Sequence, residues 1–169
     1  MNKLILVPGS ISSLRIAVLP LFFYLYDTGN LIACLVLFAF AATTDLFDGY
    51  SARKLKVTSK FGSYYDAATD FALIIGIYTF FTTKGFYPIW LVFLIIASFI
   101  QFLATSPYAK KIYDPIGRYI GSALYIGIVL TLVLPAQATF TFIQYAFIVF
   151  LAISLASRTI SLTKNRHST

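Results

Sequence analysis

The sequence predicts an all-α integral membrane protein, a six-transmembrane-helix bundle forming one membrane domain over residues 1–169, with both termini cytoplasmic. Three observations carry this expectation. The 169 residues are 59% hydrophobic and only 11% charged, with a mean hydropathy of +0.84, too little polar surface for a soluble domain of this length. Short polar breaks separate the apolar runs. Of the 13 Lys and Arg residues, all but Lys84 fall on one side when the runs alternate across a bilayer.

A spanning helix needs about 20 mostly apolar residues, and lipid forces the backbone to satisfy its own hydrogen bonds, so helices follow rather than open strands. The first span covers residues 12–27 and ends at Asp27-Thr28-Gly29-Asn30. The second, 31–52, runs to the break Val57-Thr58-Ser59-Lys60, and the third, 62–82, to Thr83-Lys84-Gly85. A fourth covers 88–106 and is followed by the polar stretch Ser106–Pro115; the fifth, 118–134, turns at Pro135-Ala136-Gln137 into the sixth, 140–160.

Orientation comes from the cations. Lys3, Arg15, Arg53, Lys54, Lys56, Lys60, Lys110, Lys111, Arg118, Arg158, Lys164 and Arg166 share one side, which the positive-inside rule makes the cytoplasmic face of the cell membrane. A missed or extra helix would scatter them, so an even number of spans follows. The net charge of +7 is carried at helix ends and not along an exposed face with interleaved aromatics, so nucleic acid is not expected as a partner. A basic rim favours membrane lipids with anionic headgroups and phosphorylated substrates, and Trp90 with the many tyrosines near helix ends reads as interfacial belting. The single cysteine, Cys34, lies in an apolar span and is expected to pack. The stretch Met1–Tyr26 imitates a signal peptide, but Tyr24-Leu25-Tyr26-Asp27 offers no small-residue cleavage site, so it is expected to be retained. His167, the only histidine, sits in the polar tail and is given no role.

The acidic residues are concentrated. There is no glutamate, and of six aspartates four, Asp45, Asp48, Asp66 and Asp70, fall in the hairpin formed by the second and third helices, about residues 31–82. Carboxylates within a membrane segment are costly and call for a chemical explanation. On helices, Asp45 and Asp48 are three apart and Asp66 and Asp70 four apart, so each pair shares a face. A hairpin reversing near Val57-Thr58 brings all four to similar depth, about 13 Å from the turn and near the cytoplasmic interface. Four converging carboxylates repel unless they are protonated or neutralised. Oxygen ligands with no nearby His or Cys favour Mg²⁺ or Mn²⁺, and two such ions balance four negative charges. The expected site is therefore dinuclear and phosphate-handling. Two competing explanations are interfacial ion pairs with Arg53, Lys54 or Lys56, and a proton or cation pathway of a transporter, which should favour the bilayer midplane.

Written out, Asp45-Leu-Phe-Asp48-Gly49-Tyr-Ser-Ala52-Arg53, eight residues, Gly62, three residues, Asp66, three residues, Asp70 resembles the signature of the CDP-alcohol phosphotransferases, D-x2-D-G-x2-A-R-x8-G-x3-D-x3-D, at all its fixed positions. The resemblance extends to six membrane helices with the motif running from the second into the third. Pro8-Gly-Ser-Ile-Ser-Ser-Leu-Arg15 is similar to the family's frequent Pro-Asn-x-x-Thr-x-x-Arg lead-in, with departures at Gly9 and Ser12, and Arg15 is taken first as a cytoplasmic anchor and second as a ligand. The resemblance implies transfer of a substituted phosphate from a CDP-linked lipid donor to a second, small alcohol with release of CMP. It implies that Asp45, Asp48, Asp66 and Asp70 bind two Mg²⁺ or Mn²⁺ ions, that Asp70 is also the base, and that Asp48, Gly49, Ala52, Arg53, Gly62 and Asp66 form the cytidine diphosphate pocket. It also suggests a homodimer.

Small residues let a nucleotide approach a helix backbone, although they also serve helix packing, and an arginine one turn after Gly49 can contact phosphate or snorkel to the interface. The acceptor must be read elsewhere. For glycerol 3-phosphate or an inositol phosphate, cations should line the approach, and Arg118, Lys110, Lys111 and Arg158 are the candidates, Arg118 first. Serine or another unphosphorylated alcohol needs no such cluster, and the same cations serve equally as topology anchors.

Overall fold

Alternating apolar runs and glycine-bearing breaks fold, in a computed structural model, into helices alone. The structure describes residues 6–54, 60–105 and 119–166, with side chains described over 15–43, 67–101, 103 and 119–157. Six helices and no strand occur among the described residues: α1 Leu6–Asp27, α2 Leu31–Lys54, α3 Lys60–Thr83, α4 Ile89–Thr105, α5 Ile120–Val133 and α6 Gln137–Arg166. Each coincides with one expected span. Two run longer than hydropathy indicated: α1 begins at Leu6, since Pro8 falls in the first turn where its missing N–H is not needed, and α6 continues through the polar Arg158–Arg166.

The stops are local chemistry. Gly29 (φ +77°) and Gly85 (φ +79°) take the left-handed conformation that ends a helix. In both, paired backbone bonds close the last turn: Gly29 N donates to Tyr26 O and Asn30 N to Leu25 O, while Gly85 N donates to Thr82 O and Phe86 N to Phe81 O. Asn30 then starts α2, its Oδ1 accepting from Ala33 N at 3.1 Å. Pro135 separates α5 from α6, and Leu134 N caps α5 by donating to Leu130 O.

Two compact units divide the chain, residues 1–80 and 81–169. In the first, α1 packs against α2, with the buried Cys34 Sγ donating to Phe22 O at 3.7 Å. Phe22, Phe38, Ala41, Leu73, Ile74, Ile77 and Tyr78 are buried at helical spacing. The α1–α3 contacts rise together in number: Leu19 meets Gly76, and Phe23 stacks on Phe80 at 4.5 Å while Tyr26 meets the same ring edge-on at 5.4 Å. The two helices therefore run parallel.

Gly76 sets the closeness of that crossing, because a Cβ there would lie 2.8 Å from both terminal methyls of Leu19. Gly76→Ala requires only that a flexible leucine end shift, offset by alanine's helix propensity. Gly76→Val is expected to cost about 1–3 kcal/mol by overpacking, read as a lower thermal midpoint in detergent. An unchanged midpoint would contradict this close approach.

In the second unit α5 packs against α6. Ile120, Leu124, Ile128 and Leu132 line the buried stripe of one, and Phe140, Ile143, Phe147 and Leu151 that of the other. The turn before α4 is anchored by Phe86 stacked on Phe140 at 4.6 Å and by Tyr87. Thr131 gives its hydroxyl proton to Gly127 O at 2.7 Å, so the 2.6 Å contact between Tyr87 and Thr131 hydroxyls has Tyr87 as donor. Burial pushes the Tyr87 phenol up to about 12 despite the hydrogen bond to Thr131, keeping it a neutral donor at physiological pH.

The outer faces are apolar. Ile32 is 75% exposed, and Tyr24, Phe40, Phe93, Phe142 and Tyr145 are exposed to nearly the same extent. Such a surface is stable against lipid rather than water. Among the described residues α6, over Gln137–Ser157, is long and apolar enough to cross a membrane; Leu31–Thr43, Ala67–Thr83, Ile89–Gln101 and Ile120–Val133 are shorter apolar stretches.

Candidate active site

The motif residues sit on two uninterrupted helices. Positions 45, 48, 49, 52 and 53 lie within α2, and 62, 66 and 70 within α3, so each aspartate pair keeps the three- and four-residue helical separation that places it on one face. Asp70 is the member whose side chain is described. The side chains of Asp45, Asp48, Gly49, Ala52, Arg53, Gly62 and Asp66 lie outside the described set, as does the turn at 57–58 on which their meeting depends. Of the acceptor candidates, Lys110, Lys111 and Arg118 lie outside the described residues. Arg158 is on α6 with its side chain undescribed.

What the structure adds is the partner of Asp70. Arg15 Nη1, on α1, donates to Asp70 Oδ1 in an ion pair; the Arg15 side chain is 1% exposed and that of Asp70 23%. Local sequence explains why Arg15 is driven inward. It lies nine residues into α1 and is followed by Ile16, Ala17, Val18 and Leu19, with Leu19, Phe23 and Tyr26 holding the same helix against α3. Asp70 lies ten residues into α3. Parallel helices with nearly equal offsets bring the two to a common level, about 15 Å from the helix starts.

This corrects the expectation for Arg15. An interfacial anchor keeps its guanidinium in water or among headgroups, whereas Arg15 is buried and paired. Sequence reasoning took it for one more cytoplasmic cation. The signals that pointed inward were its depth inside an apolar run, where a charge requires a partner, and its place seven residues after Pro8 in the lead-in.

Chemically, Asp70 combines partial exposure with a fixed counter-charge from Arg15. The donor set fits a hard divalent cation: Asp70 offers carboxylate oxygen, and the three remaining motif acids are carboxylates as well, with no imidazole or thiol in the motif.

Comparison with known proteins agrees with the motif. A family model described as CDP-alcohol phosphatidyltransferase matches residues 5–162. Similar curated proteins are named CDP-diacylglycerol–glycerol-3-phosphate 3-phosphatidyltransferase. That of Pectobacterium atrosepticum is 37% identical over 71 residues, covering 40% of this chain and 39% of the relative. That of Pseudomonas fluorescens is 40% identical over 67 residues, covering 38% and 34%, and that of Yersinia enterocolitica is 35% identical over 71, covering 40% and 39%. The chain thus spans about two-fifths or less of the length of these relatives. The family match begins one residue before α1, runs through most of α6 and encloses the whole aspartate motif, and on that basis the chain belongs to the CDP-alcohol phosphatidyltransferase family.

Proposed function

We propose that the protein transfers a phosphatidyl-type group from CDP-diacylglycerol, or a similar CDP-linked lipid such as a CDP-archaeol, to glycerol 3-phosphate, releasing CMP as a step of phospholipid biosynthesis. The observation that carries this is the complete eight-position motif lying on α2 and α3 inside the family match. The names of the similar proteins support the acceptor.

In this proposal Asp45, Asp48, Asp66 and Asp70 would hold two Mg²⁺ or Mn²⁺ ions. Such ions, when bound, polarise the diphosphate and stabilise the charge on departing CMP. Gly49, Ala52 and Gly62 give the cytidine diphosphate close access to helix backbone, with Asp48 and Asp66 bordering it, and Arg53 makes a charge-assisted contact to phosphate. Asp70 accepts the proton of the acceptor hydroxyl. The acceptor oxygen bonds to the phosphorus of the lipid phosphate, the bond from that phosphorus to the CMP oxygen breaks, and CMP leaves with the electron pair. A carboxylate is a weak base for an alcohol, so proton transfer is concerted with attack. No covalent enzyme intermediate is required.

The apolar outer faces support six membrane crossings. The distribution of Lys and Arg supports cytoplasmic termini, with the active site toward the cytoplasm of the cell membrane. A homodimer is part of this proposal, suggested by resemblance to the family. Arg118, Lys110, Lys111 and Arg158 would supply the cations for the acceptor's phosphate.

Purified protein given labelled CDP-diacylglycerol and a panel of glycerol 3-phosphate, an inositol phosphate, serine and glycerol is expected to release CMP with glycerol 3-phosphate. Arg118→Ala is expected to raise KM for that acceptor about tenfold while leaving the donor KM unchanged. Preference for serine would overturn the acceptor. Absence of CMP release with every alcohol, together with ion movement across sealed vesicles, would overturn the reaction class in favour of transport.

A further inference from the structure

We propose that Arg15 is a positioning residue for Asp70: α1 supplies a buried guanidinium that sets the rotamer and counter-charge of the carboxylate before any substrate arrives. The inference rests on Asp70 acting as the proton acceptor.

Three observations combine. Arg15 is the most buried charged side chain among the described residues, and Nη1 donates to Asp70 Oδ1 across a separation of 55 residues. A guanidinium stays charged at any physiological pH, and burial makes an anionic partner obligatory. The surrounding register is closely packed: Leu19 against Gly76 and Phe23 against Phe80 extend the same row of α1–α3 contacts beyond the ion pair, so neither helix can slide or rotate without breaking several contacts at once.

The chemical consequence concerns where the carboxylate points. The guanidinium engages Oδ1, and the χ angles this selects fix the direction of the whole group. Reacting atoms must sit within about 3–3.5 Å of one another, and a misplacement near 1 Å costs about 10²-fold in rate. An aspartate held only by its own helix turn rotates among staggered states. One clamped from a second helix does not. Arg15 therefore acts through Asp70 and touches neither donor nor acceptor.

The test uses the full chain in detergent, with Arg15→Gln, Arg15→Lys, Asp70→Asn and the double variant Arg15→Gln/Asp70→Asn. Arg15→Gln is expected to lower kcat about 100-fold while KM for both substrates stays within about threefold. Arg15→Lys, which restores the charge without the planar fork, should recover about tenfold of that loss. Thermal unfolding without metal or substrate supplies an independent measure. Each single variant removes one member of the ion pair and lowers the midpoint, whereas the double variant, which removes both, should regain at least half of the loss. A kcat within about threefold of wild type in Arg15→Gln, or a loss confined to KM, would overturn the positioning role, and simply additive midpoints would overturn the pairing. Should Arg15→Gln fail to fold, Arg15→Lys alone decides through the same kcat-against-KM split. Full turnover in Asp70→Asn would instead remove the base assignment, with the unfolding cycle still reporting the ion pair.

Discussion

Asp70→Asn is expected to abolish CMP release, a loss of at least about 10³-fold, without abolishing the folded state. Asparagine has the size of aspartate and keeps a carbonyl oxygen for Arg15, but it neither accepts the acceptor's proton nor offers an anionic ligand. General-base catalysis alone is worth about 10²–10⁴-fold, and Asp70 is assigned both tasks. The substitution also leaves a guanidinium that is 1% exposed facing a neutral amide, so a lower thermal midpoint accompanies the kinetic loss. The two effects separate cleanly in practice: kcat is measured on the folded fraction isolated by gel filtration. Asp27→Asn, at the exposed end of α1, serves as the control that retains wild-type turnover. If Asp70→Asn turned over at the wild-type rate, the proton would have to go elsewhere, and no other motif carboxylate follows Gly62 except Asp66.

Removing divalent cations is the second large effect. Dialysis against EDTA is expected to bring CMP release to background, a drop of about 10³-fold or more given the several kcal/mol that Lewis-acid stabilisation contributes. Adding back Mg²⁺ or Mn²⁺ should restore it, and Zn²⁺ at equal free concentration should restore less, because an all-carboxylate set lacks the nitrogen and sulfur donors that zinc prefers. Undiminished turnover in EDTA would remove the metal centre from the proposal and favour interfacial ion pairs with Arg53, Lys54 or Lys56 as the explanation for the acidic motif.

The helices were legible because their ends are written in local chemistry. Gly29 and Gly85 stop α1 and α3, and Asn30 starts α2, each through bonds spanning five residues or fewer. The aspartate motif was legible for a similar reason: its spacing is a helical period, and α2 and α3 run unbroken through it. What composition and spacing could not reveal are contacts between distant segments. Arg15 was grouped with the cytoplasmic cations because a topology count sees only where a cation falls along an apolar run. Its pairing with Asp70, 55 residues away, depends on α1 and α3 lying parallel and in register. The Tyr87 to Thr131 hydrogen bond was hidden in the same way, each residue being unremarkable within its own segment. The polar continuation of α6 was missed because hydropathy reports where lipid ends and not where the helix does.

The Arg15–Asp70 pair also orders events in time. During synthesis, α1 emerges with its guanidinium long before the carboxylate exists; 55 intervening residues at roughly 5–20 residues per second amount to a delay of about 3–11 s. In that interval the guanidinium lacks its Asp70 partner, and a charge left unpaired within the hydrocarbon costs about 3 kcal/mol. Arrival of α3 supplies that partner. The buried ion pair of the unit over residues 1–80 is thus completed only when its third helix is made.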